Sequence, residues 1–413
     1  MQHAVRPPMI PSSSYRRLIP RTRGTALWTA VLLAAAACVP ARVPELTGEA
    51  AAYHPVRIAT GVAARPGVLA WSPDGSQLAF LDGTGTVAVI DAASPSPAVR
   101  HLDIPSPRSL AWADDGTLYA LSREKDRDSL FLVDDAHPGI SRVALDRRAD
   151  AVYPVDRRRA FLLSLELSKL KIGTQVSCAL SRLDLASGST TTLHAYRRIF
   201  PTTDREEDLL TAWAQAGPNP LDGSFLLMEH IKPPALPPYT LVRDLDPLSG
   251  DLVELGGQDR RTIYLSASWS PDGKRLALTA RDGRLMVRSW SGSLSLERPA
   301  AGRYPAWHPA GGLLMVGGAL IDASTGLSVP LVRGDSGSYA RWSPEGTRLA
   351  LITRGELLLL TRFAPSTPSR APLDLVLKKK LTMLQELLSD GLITAEDYRA
   401  RRSQLLQDTE GGP

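Results

Sequence analysis

Side chains able to do covalent or metal chemistry are few and scattered in this chain of 413 residues. There are two thiols, Cys38 and Cys178, too few for a disulfide framework. The seven histidines, at 3, 54, 101, 137, 194, 230 and 308, include no H-x-x-x-H pair and no two at metal-ligand spacing. No G-x-S-x-G elbow and no D-x-D-x-D-G calcium loop occurs, and neither Gly311-Gly312 nor Gly317-Gly318 leads into the G-K-[ST] of a phosphate loop. Asp74, Asp115 and Asp272 could be read as a ring of carboxylates, but each stands just before a glycine where a tight turn wants it. The expectation is no catalytic set, no metal and no cofactor. Cys178 reads as a buried free thiol.

Cys38 is different because of what surrounds it. Residues 1–24 hold Arg6, Arg16, Arg17, Arg21 and Arg23 and no acid, and Thr25 to Cys38 carries no charge. A basic start, a short apolar run and small residues at its end make an export signal. The run is too short for the ~20 apolar residues of a membrane span, and Pro40 stops it. Ala35-Ala36-Ala37-Cys38 resembles the lipobox of bacterial lipoproteins, with Ala35 where leucine is usual. That resemblance implies lipidation at Cys38. Ala-Ala-Ala also fits an ordinary A-x-A cleavage site, and Arg16-Arg17 loosely resembles a twin-arginine signal. Residues 1–37 are then a leader and 38–53 a tether. The location expected is the cell envelope, membrane-anchored on the periplasmic or cell-surface side. The formal charge of +5 and the pI near 9.2 belong to the leader. Its five arginines removed, the chain keeps 43 basic and 43 acidic residues, which speaks against a nucleic-acid partner.

The middle of the chain repeats. Trp-Ser-Pro-Asp-Gly stands at Trp71 and again at Trp269, with variants at Trp112, Trp307 and Trp342. Each is followed by short apolar runs such as QLAFL and TVAVID. Ser, Pro, Asp and Gly in that order suit a type I turn between two strands. Trp71 to Trp112 is 41 residues, and 41 further stands Tyr153 in a degraded copy. Trp213 completes seven anchors: Trp71, Trp112, Tyr153, Trp213, Trp269, Trp307 and Trp342. Residues 54–363 divided among seven units give about 44 each, the size of a four-stranded propeller blade. The spacing therefore predicts an all-β, seven-bladed β-propeller, with six blades as the alternative. Val56 to Thr60 has no unit of its own and is expected to close the ring as the outer strand of the last blade, removing an open edge. The repeats resemble the TolB-like, WD-like propeller repeats of bacterial envelope proteins and of the propellers attached to prolyl oligopeptidases. Nothing like the peptidase domain of the latter follows. Gly334-Asp335-Ser336-Gly337 resembles the nucleophile motif of chymotrypsin-like proteases, but it stands between blades without a supporting His and Asp and is expected to be a turn.

After a proline-rich linker at 364–372, residues 373–408 read as a helical hairpin. Leu377, Leu381, Leu384 and Leu388 share one helix face. Gly391 suits a helix stop, and Thr394 with Asp397 makes a capping box. Asp390-Gly391-Leu392-Ile393-Thr394, Tyr398 and Leu405-Leu406 resemble the short C-terminal domain called SHOCT, which implies an accessory, self-associating hairpin and no catalytic residue. Lys378 to Lys380 and Arg399 to Arg402 read as a solvated face.

The function expected is therefore non-catalytic: an envelope binding or scaffold protein, lipid-anchored, whose ring presents loops to a protein or cell-wall ligand. Residues 373–408 would serve homo-oligomer formation or docking. The departures from the repeat at Leu165–Gln175, Arg197–Leu210 and Ile231–Tyr239 are the candidate recognition loops. Two alternatives stand beside this. One is a propeller lyase or hydrolase with its site at the central channel, favoured by four or more acids, histidines or arginines converging on the axis. The other is a structural lipoprotein whose hairpin is the interaction element.

Overall fold

A computed structural model describes residues 55–410 except 95, 126, 135–138, 202–212, 234–235, 301, 332–337, 362–374 and 390. The leader, Cys38, the tether, the 364–372 linker and the Gly334-Asp335-Ser336-Gly337 motif lie outside the described residues.

Seven four-stranded antiparallel sheets follow one another round a ring, which settles the blade count at seven. Their innermost strands are Leu69–Trp71, Pro107–Trp112, Ala151–Pro154, Trp213–Pro218, Tyr264–Trp269, Ala306–Trp307 and Tyr339–Trp342, for blades 1 to 7. The second and third strands are short apolar runs because neighbours cover both faces: Leu78, Ala79 and Phe80 are all fully buried. The core is a set of layers between blades, with Ala350, Ile352, Leu357 and Leu359 of blade 7 packed with Leu78, Phe80 and Val89 of blade 1. The outermost strand of blade 7 is Pro55–Thr60, antiparallel to Glu356–Thr361, so the two ends of the repeat region are joined in one sheet.

Each blade turns its first corner with one shared backbone bond. The donors are Ser72, Ala113, Val155, Asn219, Ser270, His308 and Ser343, and the acceptors Gln77, Thr117, Arg159, Ser224, Arg275, Leu313 and Arg348. The residue just before each donor therefore holds the anchor position. In five blades it is Trp71, Trp112, Trp269, Trp307 and Trp342. In blades 3 and 4 it is proline, Pro154 and Pro218. Tyr153 stands one residue before the anchor, and Trp213 five residues before it, opposite Leu227. Equal spacing lands on Tyr153 one residue early because Pro154 fills the anchor position, and Trp213 is early because the blade 4 strand carries a bulge between Trp213 and Pro218, where Gly217 has φ +71.

The indoles stitch the ring. Trp112 Nε1 donates to Ala70 O at 3.1 Å, Trp71 to Arg341 O at 3.0 Å, Trp342 to Ala306 O at 3.3 Å and Trp307 to Ser268 O at 3.0 Å. Each bond reaches the residue before the anchor of the preceding blade. Trp269 would reach Gly217 by the same rule, yet its Nε1 is buried without an acceptor, beside the bulge. A second stitch joins turns: Asn219 Nδ2 to Gly273 O (3.3 Å), Arg275 to Gly311 O (2.7 Å), His308 Nε2 with Gly346 O (3.1 Å) and Arg348 to Gly75 O (2.9 Å). Gly346 has φ +77, and a Cβ there would fall 2.5 Å from His308 Nε2, so this turn needs glycine twice over.

Two helices follow, α1 at Leu375–Ser389 and α2 at Ala395–Glu410. Gly391, at φ +70, ends α1 with Gly391 N on Leu388 O and Leu392 N on Leu387 O. Thr394 Oγ1 accepts from Asp397 N at 3.1 Å, and Asp397 Oδ2 accepts from Thr394 N at 3.3 Å. That reciprocal pair starts α2. No described helix is long and apolar enough to cross a membrane.

Candidate functional site: hairpin seat, tongue and channel mouth

Strand direction divides the ring into two ends. Turns from first to second and from third to fourth strand lie at one end, and the remaining turns with the links between blades lie at the other. The first end of blade 4 carries the hairpin. Leu381 of α1 is 2 % exposed and packs on Leu221 of the blade 4 turn, with Leu405 and Leu406 beside it. Gln385 Nε2 donates to Asp222 O at 3.0 Å. Arg402 enters a nest of carboxylates: 2.5 Å to Asp222, 3.3 Å to Asp244 and 3.7 Å to Asp246, all buried. Arg399 pairs with Asp251 at 2.8 Å on the rim. Burial opposes the Arg402 charge, but Asp222, Asp244 and Asp246 outweigh it and hold the guanidinium above its ordinary value. Burial pushes the Asp244 carboxyl up to about 7, and Asp222 adds repulsion. The basic run expected to face solvent thus contributes its one half-sheltered arginine to a seat. No sequence signal marks this, since Asp244 and Asp222 lie 158 and 180 residues away and Asp246 two residues beyond Asp244.

At the opposite end, blade 3 is longer than its neighbours. Arg159–Leu170 and Gly173–Asp184 are 12 residues each and Thr190–Phe200 is 11. The expected loop Leu165–Gln175 is therefore a ladder, paired through Leu170 with Gly173. Alternating apolar residues (Leu163, Leu165, Leu167) explain why it stays extended. This tongue exposes Ile172 (75 %), Ile199 (48 %) and Leu170 (39 %) beside Lys171, Arg197 and Arg198.

The links between blades at this same end converge on the axis. Arg65 precedes blade 1, Arg108 begins blade 2, Asp150 precedes blade 3 and Tyr304 precedes blade 6. Arg65 lies within electrostatic reach of Arg108, Asp150 and Tyr304, which belong to blades 2, 3 and 6. Burial and then Arg108 lower its pKa, against Asp150 and Tyr304. Asp150 has Arg108 at 3.8 Å and Arg123 at 3.6 Å, while its Oδ2 accepts Leu165 N at 2.7 Å, and Asp128 also feels both arginines. Arg123 is committed mainly to Asp128, at 2.7 Å. Below them Tyr304 meets Tyr339 edge to face at 5.6 Å, and Tyr339 Oη accepts from Arg341 Nε at 2.9 Å. Arg341 is exposed although Ala340 and Trp342 beside it are buried, the pattern of a side chain projecting into the channel. It reaches Tyr153 on blade 3 electrostatically. The other residues at this level are Ala70, Ala111, Gly217, Ser268 and Ala306, all small.

The other sequence candidates take structural places. Asp74 accepts from Ser72 Oγ, Ser76 N and Ser76 Oγ, which hold its carboxyl at about 2. Asp115 accepts from Thr117 N and from Arg157 of blade 3 at 2.7 Å, and Asp272 from Lys274 N. Asp74, Asp114, Asp115 and Asp134 also line a shallow groove of about 370 Å³ between blades 1 and 2. Cys178 is buried and burial pushes its thiol pKa up, so it is not a poised nucleophile. Among the described residues no group of three His, Cys, Asp or Glu could hold a metal.

No protein-family model matches the chain, and no curated protein matches it in sequence. Solved structures do. An oligogalacturonate lyase from Vibrio parahaemolyticus is similar with a TM-score of 0.51 at 10 % identity, over 77 % of this chain and 93 % of that one. A chain of a mitotic checkpoint complex is similar with a TM-score of 0.50 at 14 % identity, over 75 % and 96 %. At such identities the likeness shows the propeller fold alone.

Proposed function

We propose that this protein is a non-catalytic binding scaffold of the cell envelope, lipid-anchored at Cys38, whose ring presents its tongue end to a protein or cell-wall ligand. The observation that carries this reading is the blade 3 tongue. It extends past strands of ordinary length and ends in exposed Leu170, Ile172 and Ile199 among basic side chains, on a rigid base. The TolB-like repeats and the SHOCT-like tail agree with an exported accessory protein. The hairpin would serve self-association through its outward residues, Met383 and Leu392.

Site-specific photocrosslinking in the native envelope tests it. A crosslinker at Ile172 should yield a discrete adduct that one at Arg57, on the outer strand of blade 7, does not. No adduct at Ile172, or the same adducts at both, would reject the tongue as the ligand face. Cys38→Ser should abolish incorporation of labelled palmitate; persistent labelling would reject the anchor.

A second reading, an enzyme with its site in the channel, is favoured by one observation. Arg65, Arg108, Asp150 and Arg341 make four charged groups converging on the axis. Against it, Asp150 is already engaged by Leu165 N and has two arginines within 4 Å, the contacts of a structural tie between blades.

A further inference from the structure

One seam between blades is closed by a side chain that can take up a proton. His308 begins the first turn of blade 6, is 4 % exposed, and lies edge to face with the Trp342 ring of blade 7 at 4.6 Å. Its two ring nitrogens face opposite kinds of partner. Nδ1 accepts the Ala310 N–H at 3.1 Å within its own turn, and Nε2 meets Gly346 O of the blade 7 turn at 3.1 Å. An amide N–H only donates and a carbonyl only accepts, so these two partners fix the neutral ring with its proton on Nε2. Blade 4 makes the same pair of bonds with a side chain that does not titrate. Asn219 Oδ1 accepts from Leu221 N at 3.0 Å, and Asn219 Nδ2 donates to Gly273 O of the blade 5 turn at 3.3 Å. The seams on either side of His308 are closed by arginines, Arg275 onto Gly311 O and Arg348 onto Gly75 O. Of these four stitches only the one at His308 can change its charge between about pH 5 and 8.

We infer that His308 is an acid-sensitive latch between blades 6 and 7: a proton taken from solvent at Nδ1 sets two donors against each other, deprives Ala310 N–H of its acceptor and lets the seam open. Among the described residues no carboxylate is placed to balance the new charge. The blade 6 strands beside it, Ala306–Trp307 and Leu313–Val316, carry no charged residue. On the blade 5 turn, Arg275 is bonded to Gly311 O and Asp272 accepts from Ser270 Oγ and Lys274 N. On blade 7, Glu345 is held by Arg348 at 3.3 Å and by Thr347 Oγ1 at 2.9 Å, and Arg341 is turned to Tyr339 Oη at 2.9 Å. Burial lowers the pKa of the ring, and the bond to Gly346 O works against that. The stability that neutral His308 gives the seam is therefore present above the ordinary histidine value of about 6.5. It is lost as pH falls below that value toward the ring's own lowered one. The latch stands beside the closure of the ring, since blade 7 is the sheet that Pro55–Thr60 completes. It is independent of the tongue and of the anchor.

Amide exchange of the full chain in detergent, corrected for the intrinsic effect of pH, follows the seam directly. Between pH 7.5 and pH 5, opening of residues 308–313 and 343–348 should rise by at least about tenfold. The ceiling is about thirtyfold, reached when the open form takes the proton near 6.5 and the closed form does not take it at all. Residues 72–77, behind the Arg348 stitch, should keep their protection. That comparison lies within the parent chain and needs no variant to fold. His308→Asn copies the pair of bonds that Asn219 makes, and should hold the protection of the seam level between the two pH values. Nitrogen-15 spectra of the imidazoles at pH 7.5 should show His308 neutral and protonated on Nε2. An unchanged seam in the parent, an equal rise in residues 72–77, an acid rise that persists in His308→Asn, or a His308 ring protonated on Nδ1 at pH 7.5 would overturn the proposal.

Discussion

Blades 5, 6, 7, 1 and 2 form one arc of the ring, and blades 3 and 4 form another. In the first arc every anchor is tryptophan, and four indole bonds tie each blade to the one before it. In the second the anchors are Pro154 and Pro218, which have no side-chain donor. Proline keeps the extended entry to the turn but gives up the stitch. Other contacts replace it. Phe225 takes Tyr153 at 5.5 Å and Phe161 at 4.9 Å, both edge to face. Arg157 bridges to Asp115, and α1 and α2 brace the blade 4 turn through Arg402. A ring can therefore be closed by one repeated bond or by a collection of unlike ones. The arc with unlike ones is also where extra structure, the tongue and the hairpin, has been added.

The largest effect expected is on the stitched arc. Trp342→Ala removes the donor to Ala306 O, the contact with the His308 ring at 4.6 Å and a large buried surface. It should cost about 3–5 kcal/mol by urea unfolding. A loss below about 1 kcal/mol would mean that the indoles do not hold this arc. Arg402→Ala should cost a similar or slightly smaller amount, about 3 kcal/mol, because three carboxylates lose the one ion-pair partner they have among the described residues. The loss should be local. Amide exchange should rise in residues 219–254 and 380–406 and stay unchanged in 264–361; a rise throughout would erase the distinction between the arcs.

A pH profile sharpens the seat further. Asp244 ionises near 3.8 when unfolded and near 7 in the seat, so between those values the folded chain holds the extra proton. Stability contributed there is present at low pH and lost as pH rises through about 7. The groups facing it are Asp222, Asp246, Tyr398 and Arg402. Asp244→Asn should flatten the fall in melting temperature between pH 5 and 8 relative to the parent; parallel profiles would count against it. His308 and His194, whose pKa values burial lowers, act in the opposite sense in both proteins and cancel in the comparison. The smallest effect is Trp307→Phe. It keeps most of the buried area and loses one bond to Ser268 O, at about 1 kcal/mol. A cost of several kcal/mol would show that shape, and not the donor, is what the position needs.

Much of the fold is legible in the sequence for a reason these arcs make plain. Ser-Pro-Asp-Gly and the preceding tryptophan act through bonds to their own turn or to the same position of the next copy, so the interaction repeats whenever the residues do. Gly391, Thr394 and Asp397 are likewise local, and their capping roles can be read three residues at a time. Tyr153 and Trp213 were misplaced where that periodicity breaks: a proline fills the anchor, and neither a bulge nor an off-by-one register leaves a mark in composition.

The sequence by itself determined the number of blades, the turn chemistry, the strand that closes the ring and the two-helix tail. Only the tertiary structure decided where the tail sits and what faces the axis. Arg402 meets Asp222 across 180 residues, and Tyr304, ahead of blade 6, meets Tyr339 of blade 7. These are single encounters between unlike elements. They obey no period, and their energy comes from burial and charge that exist only after the ring has closed.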